Sequence, residues 1–394
     1  LTGTQHKAAR VAARPFLLRG WAPPGAGEAP RGYEAQVRDA YLANPVAQRA
    51  ARLVAEGVAS AAVYADAGGG TAAPAAGTRK RAAAGGDDGG AAAPVPARIV
   101  PAPLLEAAAT QLLLHGNAFV QIVQDADGAP AELFALRPER VSVEADAAGW
   151  PAAYVYKAGA AKTRLPVRDG LGRPSLVHLK MTHPLDDHYG LGCLGAAAGA
   201  VATHNAATRW NAALLDNAAR PSGALVHAPE DGATMSAEQF ERLTAELDES
   251  FTGTANAGRP MLLEGGMRWQ AISLTPAEMD FAGLKAAAAR DIALAFGVPP
   301  MLLGLPGDAT YANYREANRA LWRLTILPLA DKILGGISAG LAAWWPGVRL
   351  RVDVDQVTAL AEDRERLWGQ VSAAAFLSDA EKREMLGFGP APSA

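Results

Sequence analysis

The sequence has little of what builds a cross-linked or chemically active protein. It holds a single cysteine, Cys193, in 394 residues, which excludes an intramolecular disulfide and a multi-cysteine zinc site and suits a reducing compartment. Aromatic residues make up only 6% although half of the chain is hydrophobic, so helices packed closely through small residues are expected rather than one large aromatic core. Positive charge is not in excess. A net charge of -3 argues against a surface that grips nucleic acid along its whole extent, yet leaves room for a conduit through which DNA slides. Long apolar runs are missing too: the longest, 333–348, is broken by Gly335, Gly336, Gly340 and Pro346 and is shorter than the ~20 residues a spanning helix needs. No stretch reads as a secretory leader, so the expectation is a soluble protein with no membrane partner. The GxxxxGK[ST] phosphate loop and the CxxC pair are absent, and no cofactor is expected.

What is present suffices for two or three domains. Residues 1–32 form a basic arm, with Lys7, Arg10, Arg14, Arg19 and Arg31 against Glu28 alone. A helical stretch from Tyr33 to Tyr64, interrupted at Asn44-Pro45, is followed by 66–96, almost entirely Ala, Gly, Thr and Pro, a composition that reads as a flexible surface loop. Structure resumes with a helix from Leu104 to His115 closed by Gly116. AFVQIVQ, a DADG turn and AELFAL then read as a hairpin, and RVSVEA, AYVYK and SLVHLK as further short strands. His178, His183, Asp186, Asp187 and His188 come close together in the sequence. Their spacing matches no zinc signature and Pro184 interrupts any shared helical face, so no metal residue is assigned. A metal-dependent hydrolase using the 178–188 cluster remains the alternative in the enzyme class, and a helical scaffold or adaptor without a channel the alternative in the structural class.

An alanine-rich helix from about Leu194 to Ala219 carries Val201, Leu214 and Leu215 on its apolar side. Between 221 and 274 come a strand, GALVH, a helix opened by Ser236 with Gln239, and a hairpin of PMLLE and MRWQAI across Gly265-Gly266. Thr275 with Glu278, and Pro276 at the first helical position, then predict a helix that Gly297 and Pro299-Pro300 end. LGLPGDATYA follows as a loop by turn chemistry, with Asp308 as its one charge. Asn313 with Glu316 is expected to open a second long helix, kinked by Pro328 and running towards Leu334. VRLRVDVD alternates as a half-buried strand should, and 358–388 reads as a short helical end piece with Ser378 and Glu381 starting its last helix.

The order of long helix, FGVPP, loop and kinked long helix, preceded by TANAGRPMLLEGGMRWQAISL, resembles the portal proteins of long-tailed bacteriophages and of gene transfer agents. LLLHGNAFV and DDHYGLGCLG add to the likeness, which covers roughly 112–388. The resemblance implies an α+β portal-like fold: a mixed wing (33–191 and 298–357), an antiparallel helical stem (192–220 and 276–297), a small α/β clip (221–275) and a short helical crown (358–394). It implies that 303–312 is a tunnel loop facing the DNA, with Gly304, Leu305, Pro306, Gly307, Asp308, Ala309, Thr310 and Tyr311 as its site residues and 313–334 as the kinked helix. It also implies a non-enzymatic dodecameric ring at one capsid vertex, through which double-stranded DNA is packaged and ejected. The implied partners are the large terminase, the major capsid protein and a head-to-tail adaptor. Charge bears on the DNA. Arg315, Arg319 and Arg323 against Asp308 and Glu316 leave one net positive charge per chain from 304 to 324, and the helix from Pro276 to Phe296 carries one net negative charge. Nearly balanced walls neutralise few phosphates, so weak contact without sequence preference is expected. No helix gathers Arg, Asn and Gln on one exposed face, as reading base edges would require.

Overall fold

The computed structural model describes residues 32–66, 99–216, 223–227, 236–239, 241–243, 245, 267–271, 280–305 and 311–386. The chain forms two compact units, one from 1–198 with 292–394 and the other from 199–291.

In the first unit a short helix, α1 (Tyr33–Val37), passes through a π-helical turn (Arg38–Leu42) to α2 (Pro45–Ser60). The break at Asn44-Pro45 has a direct cause. Pro45 supplies no N-H at the first helical position, and the Asn44 side chain accepts from Val46 N and Ala47 N, both at 3.0 Å. The buried face of α2 is Ala47, Ala50, Ala51, Val54, Ala55 and Val58, and these small side chains let it lie close to α3 (Ala102–His115). Strand β1 (Val63–Asp66) follows α2 and pairs antiparallel with a strand almost three hundred residues on, β10 (Arg349–Val352). The helical reading of 33–64 did not anticipate it.

Beyond Gly116 the chain builds two antiparallel three-stranded sheets. The first has order β3–β2–β7, from Pro130–Leu136, Asn117–Gln124 and Leu176–Lys180; the second has order β4–β5–β6, from Val141–Ala145, Pro151–Ala158 and Ala161–Pro166. Their shared core is Phe119, Leu136, Val141, Tyr154 and Leu176. Strand β6, whose first four residues are all exposed, offers no alternation and was not read from the sequence. One turn recurs three times, at Asp125–Ala129, Asp146–Trp150 and Asp169–Arg173. In each, the aspartate Oδ1 accepts from the backbone N-H two and four residues on, at 2.8–3.0 Å. The fourth residue is a glycine with φ of 76°, 85° and 76° in turn, a left-handed position that costs a side chain and suits glycine. Only the DADG member was read as a turn.

The second unit's helix α4 (Cys193–Asp216) starts in the first unit and buries Leu194, Ala197, Val201, His204 and Ala207. Strands β8 (Gly223–His227) and β9 (Met267–Ala271) pair antiparallel. The PMLLE segment lies outside the described residues, as do Thr275, Pro276 and Glu278. The capping box of Ser236 and Gln239 is formed, Ser236 N donating to Gln239 Oε1 at 2.9 Å and Gln239 N to Ser236 Oγ at 3.3 Å. Helix α5 (Phe281–Ala295) begins after Asp280, which sits at φ 43° and accepts from Gly283 N. The described helix therefore starts at Phe281, and the expected start at Pro276 lies outside the described residues.

A second long helix comprises α6 (Tyr311–Leu321), a π turn (Trp322–Ile326) and α7 (Leu327–Leu341). Asn313 and Glu316 lie inside α6 and do not open it, which corrects the expected start by two residues. The distortion expected of Pro328 appears as that π turn immediately before it, where the ring and the missing N-H disturb the carbonyls one turn back. Residues Ala312–Leu341 are long and apolar enough to cross a membrane by length and composition, which the search for uncharged runs missed because arginines punctuate the start of the helix. In the protein, however, Leu329, Ala330, Ile333, Leu334, Ile337 and Leu341 are buried in the core. The helix also lies on β7 through two glycines: a Cβ on Gly336 would come 2.1 Å from Leu179 Cδ2, and one on Gly340 2.3 Å from Val177 Cγ2. Gly340→Leu is therefore expected to lower stability by about 1–3 kcal/mol through overpacking. Gly335→Ala, on the exposed side of the same turn with nothing within 4 Å, should raise it by about 0.5–1 kcal/mol. Urea unfolding of the two variants measures both.

Candidate functional site

The segment 304–311, read from the sequence as a loop, has both flanking ends among the described residues. Its approach begins where α5 stops: Val298 N donates to Ala293 O at 2.9 Å and Gly297 N to Leu294 O at 3.0 Å, around Gly297 at φ 65°. This is the paired closure that only a left-handed residue permits, so Gly297 ends the helix as its sequence predicts. A 3-10 turn, Pro300–Leu303, follows and is closed by Gly304 at φ 72°. The base is tied across to the second long helix, because Thr325 Oγ1 in the π turn donates to Gly297 O at 2.7 Å. Gly304 and Leu305 belong to this described approach, and Tyr311 is the first residue of α6. Pro306, Gly307, Asp308, Ala309 and Thr310 lie outside the described residues.

Immediately beyond the loop, α6 and the π turn carry Arg315, Arg319 and Arg323 four residues apart. All three meet the carboxylates of α8 (Ala361–Ala373). Arg319 Nη2 donates to Glu362 Oε2 at 2.7 Å and its Nη1 to Glu316 Oε1 at 2.8 Å, while its Nε stands 3.6 Å from Asp363 Oδ2. Arg315 bonds Glu362 and Arg323 bonds Asp363. The central guanidinium is 10% exposed, whereas Arg315 and Arg323 are about half exposed. The charge balance read from the sequence therefore needs correction: within this network, three arginines meet three carboxylates. Sequence reasoning found the arginines but not their partners, which lie some forty residues on; a four-residue arginine spacing facing a Glu-Asp pair is the signal that could have found them.

The 178–188 cluster is distributed among separate structural roles. His178 stacks on Phe119 with ring centroids 4.3 Å apart and sets its Nε2 3.0 Å from Asn117 Oδ1. His183 Nδ1 accepts from Leu185 N, Asp186 Oδ1 accepts from His188 N and Tyr189 N, and the Asp187 carbonyl accepts from Lys180 Nζ. Among the described residues no group of three His, Cys, Asp or Glu is placed to hold a metal ion. The buried hub is Asn117, which the sequence did not single out. Its Oδ1 also accepts from Gly190 N at 2.7 Å, and its Nδ2 donates to Gly190 O at 3.1 Å and towards His115 Nδ1 at 3.0 Å. Because the Gly190 N-H can only donate, the amide orientation is fixed: His115 Nδ1 accepts, which requires an unprotonated nitrogen there, and His178 donates from Nε2. Burial lowers His115 to about 4; burial, then the Lys180 charge and the neighbouring histidines, lowers His178 to about 3.

The phage portal protein family model matches residues 97–387. The chain belongs to the phage portal protein family. A chain in the virion of a native gene transfer agent particle is 43% identical to this portal, covering 93% of this chain and 97% of that one with a TM-score of 0.66. The portal is similarly close, at 42% identity, to a chain in the neck of the native particle computed with C12 symmetry, with the same coverage and TM-score. An HK97-family phage portal protein from Corynebacterium diphtheriae shares the fold at 18% identity and a TM-score of 0.53, over 84% of this chain. An uncharacterized protein of Rickettsia felis is 45% identical over 71% of each chain.

Arg319→Ala, which deprives Glu362 and Glu316 of a buried donor, is expected to cost about 2–3 kcal/mol, while Arg315→Ala in its exposed pair should cost about 1 kcal/mol or less; chemical denaturation separates them. The pH dependence has a definite sign. His115 and His178 take up protons below pH 6.5 in the unfolded chain but not in the folded one, so stability is full above about pH 6.5 and falls as pH drops towards 4. Burial lowers His204 as well, with the same sign. A urea midpoint that stays flat from pH 7 to 4.5 would contradict the buried neutral assignment.

Proposed function

We propose that this portal protein is the subunit of a dodecameric ring at one vertex of a gene-transfer-agent or phage capsid, with an axial channel that passes double-stranded DNA during packaging and ejection. The observation that carries the reading is the likeness, at 42–43% identity over 93% of the chain, to chains of a gene transfer agent virion and of its neck with twelvefold symmetry. Head-to-tail contacts that close on themselves give such a ring. Membership of the portal family implies a structural, non-enzymatic protein. In this reading Gly304 to Tyr311 form the tunnel loop, the helix behind it lines the channel, and the large terminase, the major capsid protein and a head-to-tail adaptor dock on the outside of the ring.

Weak, sequence-independent contact with the duplex is part of the same proposal. It is supported by the arginines that follow the loop, whose charge is matched by Glu316, Glu362 and Asp363, so the wall offers few free cations to phosphate. The reading also explains what the π turn is for. Tied through Thr325 to Gly297, it braces the two chain ends between which the loop must stay in place while DNA moves past.

The proposal is tested by electron microscopy of the purified protein and of its parent particle. Rings with an axial channel are expected, and a sharply monomeric protein with no ring class would overturn the proposal. In particles carrying Tyr311→Ala, rings should still assemble while packaged DNA falls several-fold. Loss of soluble rings in that variant would make the loop a structural element.

A further inference from the structure

We propose that Arg315, Arg319 and Arg323 form a binding row for the sugar-phosphate backbone of duplex DNA, kept closed by Glu362 and Asp363 of α8 and opened when that helix lifts away. The inference rests on the channel reading and adds to it a second, gripping state of the wall.

Three observations carry it. First, four residues of helix advance roughly 6 Å, and neighbouring phosphates of one strand, which rise about 3.4 Å along the axis and swing round it, stand roughly 7 Å apart. A row of guanidiniums at four-residue steps therefore has the pitch of a nucleic-acid backbone. Guanidinium is also the side-chain group best matched to phosphate oxygens. Second, what occupies the row is an anionic stand-in: Glu362 and Asp363, adjacent in sequence, together accept from all three arginines.

Third, the cover is lightly attached. Among the described residues of α8 and the following helix α9 (Asp379–Met385), the buried side chains are Val371 and, just past the end of α9, Leu386. Other ties of this hairpin include two internal ones, Arg364 Nη2 to Leu386 O at 2.9 Å and the Ser378–Glu381 cap, and a further ion pair to the chain just before it, Arg364 Nη2 to Asp355 Oδ2 at 3.2 Å. Leu360 and Val357, buried just before α8, would stay as the hinge. Holding α8 down therefore falls largely on ion pairs, two of whose arginines are about half exposed. Such pairs are screened by salt and open to competition from a polyanion, and segments with so few buried contacts are the first to open.

The experiment compares the assembled wild-type protein with Glu362→Gln/Asp363→Asn by fluorescence anisotropy on duplexes of unrelated sequence across a salt series. Unmasking three arginines should steepen the logarithmic salt slope by up to about 2.7, equivalent to about a 40-fold larger loss of affinity between roughly 50 and 200 mM salt. Adding Arg315→Gln and Arg323→Gln should remove most of that gain. The control Glu365→Gln/Asp379→Asn makes the same charge change at exposed sites outside the network and should leave the slope near that of the wild type. If the control reproduces the gain, net charge explains it and the row is not a site. If the double variant binds like the wild type, the inference fails while the ring stands. Should the double variant not assemble, hydrogen exchange of the wild-type ring decides: faster exchange across 361–373 on adding duplex at low salt supports the proposal, and unchanged exchange overturns it. Failure of the wild-type chain to form rings would instead remove the channel reading itself.

Discussion

Close approach between the helix Leu327–Leu341 and strand β7 is the constraint on which much of the first unit depends. Gly336 and Gly340, one turn apart, bring the helix backbone down onto Leu179 and Val177, and the neighbouring Ile333, Ile337 and Leu341 fill the space to either side. The same helix then fixes strand β10 by having Ser338 Oγ accept from Leu350 N at 2.8 Å, and β10 in turn holds β1. At its other end the π turn reaches Gly57 of α2, where an added Cβ would stand 2.5 Å from Ile326 Cδ1. A single helix thus contacts a sheet, a strand pair and a helix pair, and through the π turn and α6 it leads back to Tyr311 at the far end of the candidate loop.

A second point of convergence is polar. Asn117 is 1% exposed, yet its amide meets His115, His178 and Gly190, joining the end of α3, two strands and the 181–192 segment. Gly190 and Gly192 are packed so closely on Met181, Leu114 and Gly116 that a Cβ at either would fall within 2.1–2.8 Å of backbone. A buried amide with every hydrogen-bonding atom occupied specifies one arrangement of the surrounding chain more sharply than apolar contact does. It also accounts for the two histidines, of which His115 accepts from the amide and His178 donates to it.

Legibility in the sequence divided along the range of the signal. Features written within a few residues were readable: Ser236 with Gln239, Ser378 with Glu381, Gly116 and Gly297 all sit where their local chemistry puts them. The capping box of Asn313 and Glu316 misled because Glu316 has a stronger claim elsewhere, on the guanidinium of Arg319. Strand β1 is four residues long with intermediate burial throughout, so it has no period to read, and its partner is remote. In the candidate site the flanking closure at Gly297 could be inferred, but the α8 carboxylates could not. Charge pairing across 40–47 residues leaves no periodic trace, and only the folded chain brings the two helices together.

The recurring aspartate turn has a kinetic meaning. At Asp125, Asp146 and Asp169 the five-residue turn satisfies its own polar groups, the aspartate backbone N-H donating back across it to Ala129 O, Trp150 O and Arg173 O respectively. Two of these turns directly join the hairpins β2–β3 and β4–β5. Each such hairpin can find its register from local contacts before distant parts of the chain arrive, and structure rich in local contacts forms fast. In the ring proposed above, where copies meet one another, rapid closure of these hairpins would shorten the time in which unpaired strand edges of different chains can find each other first.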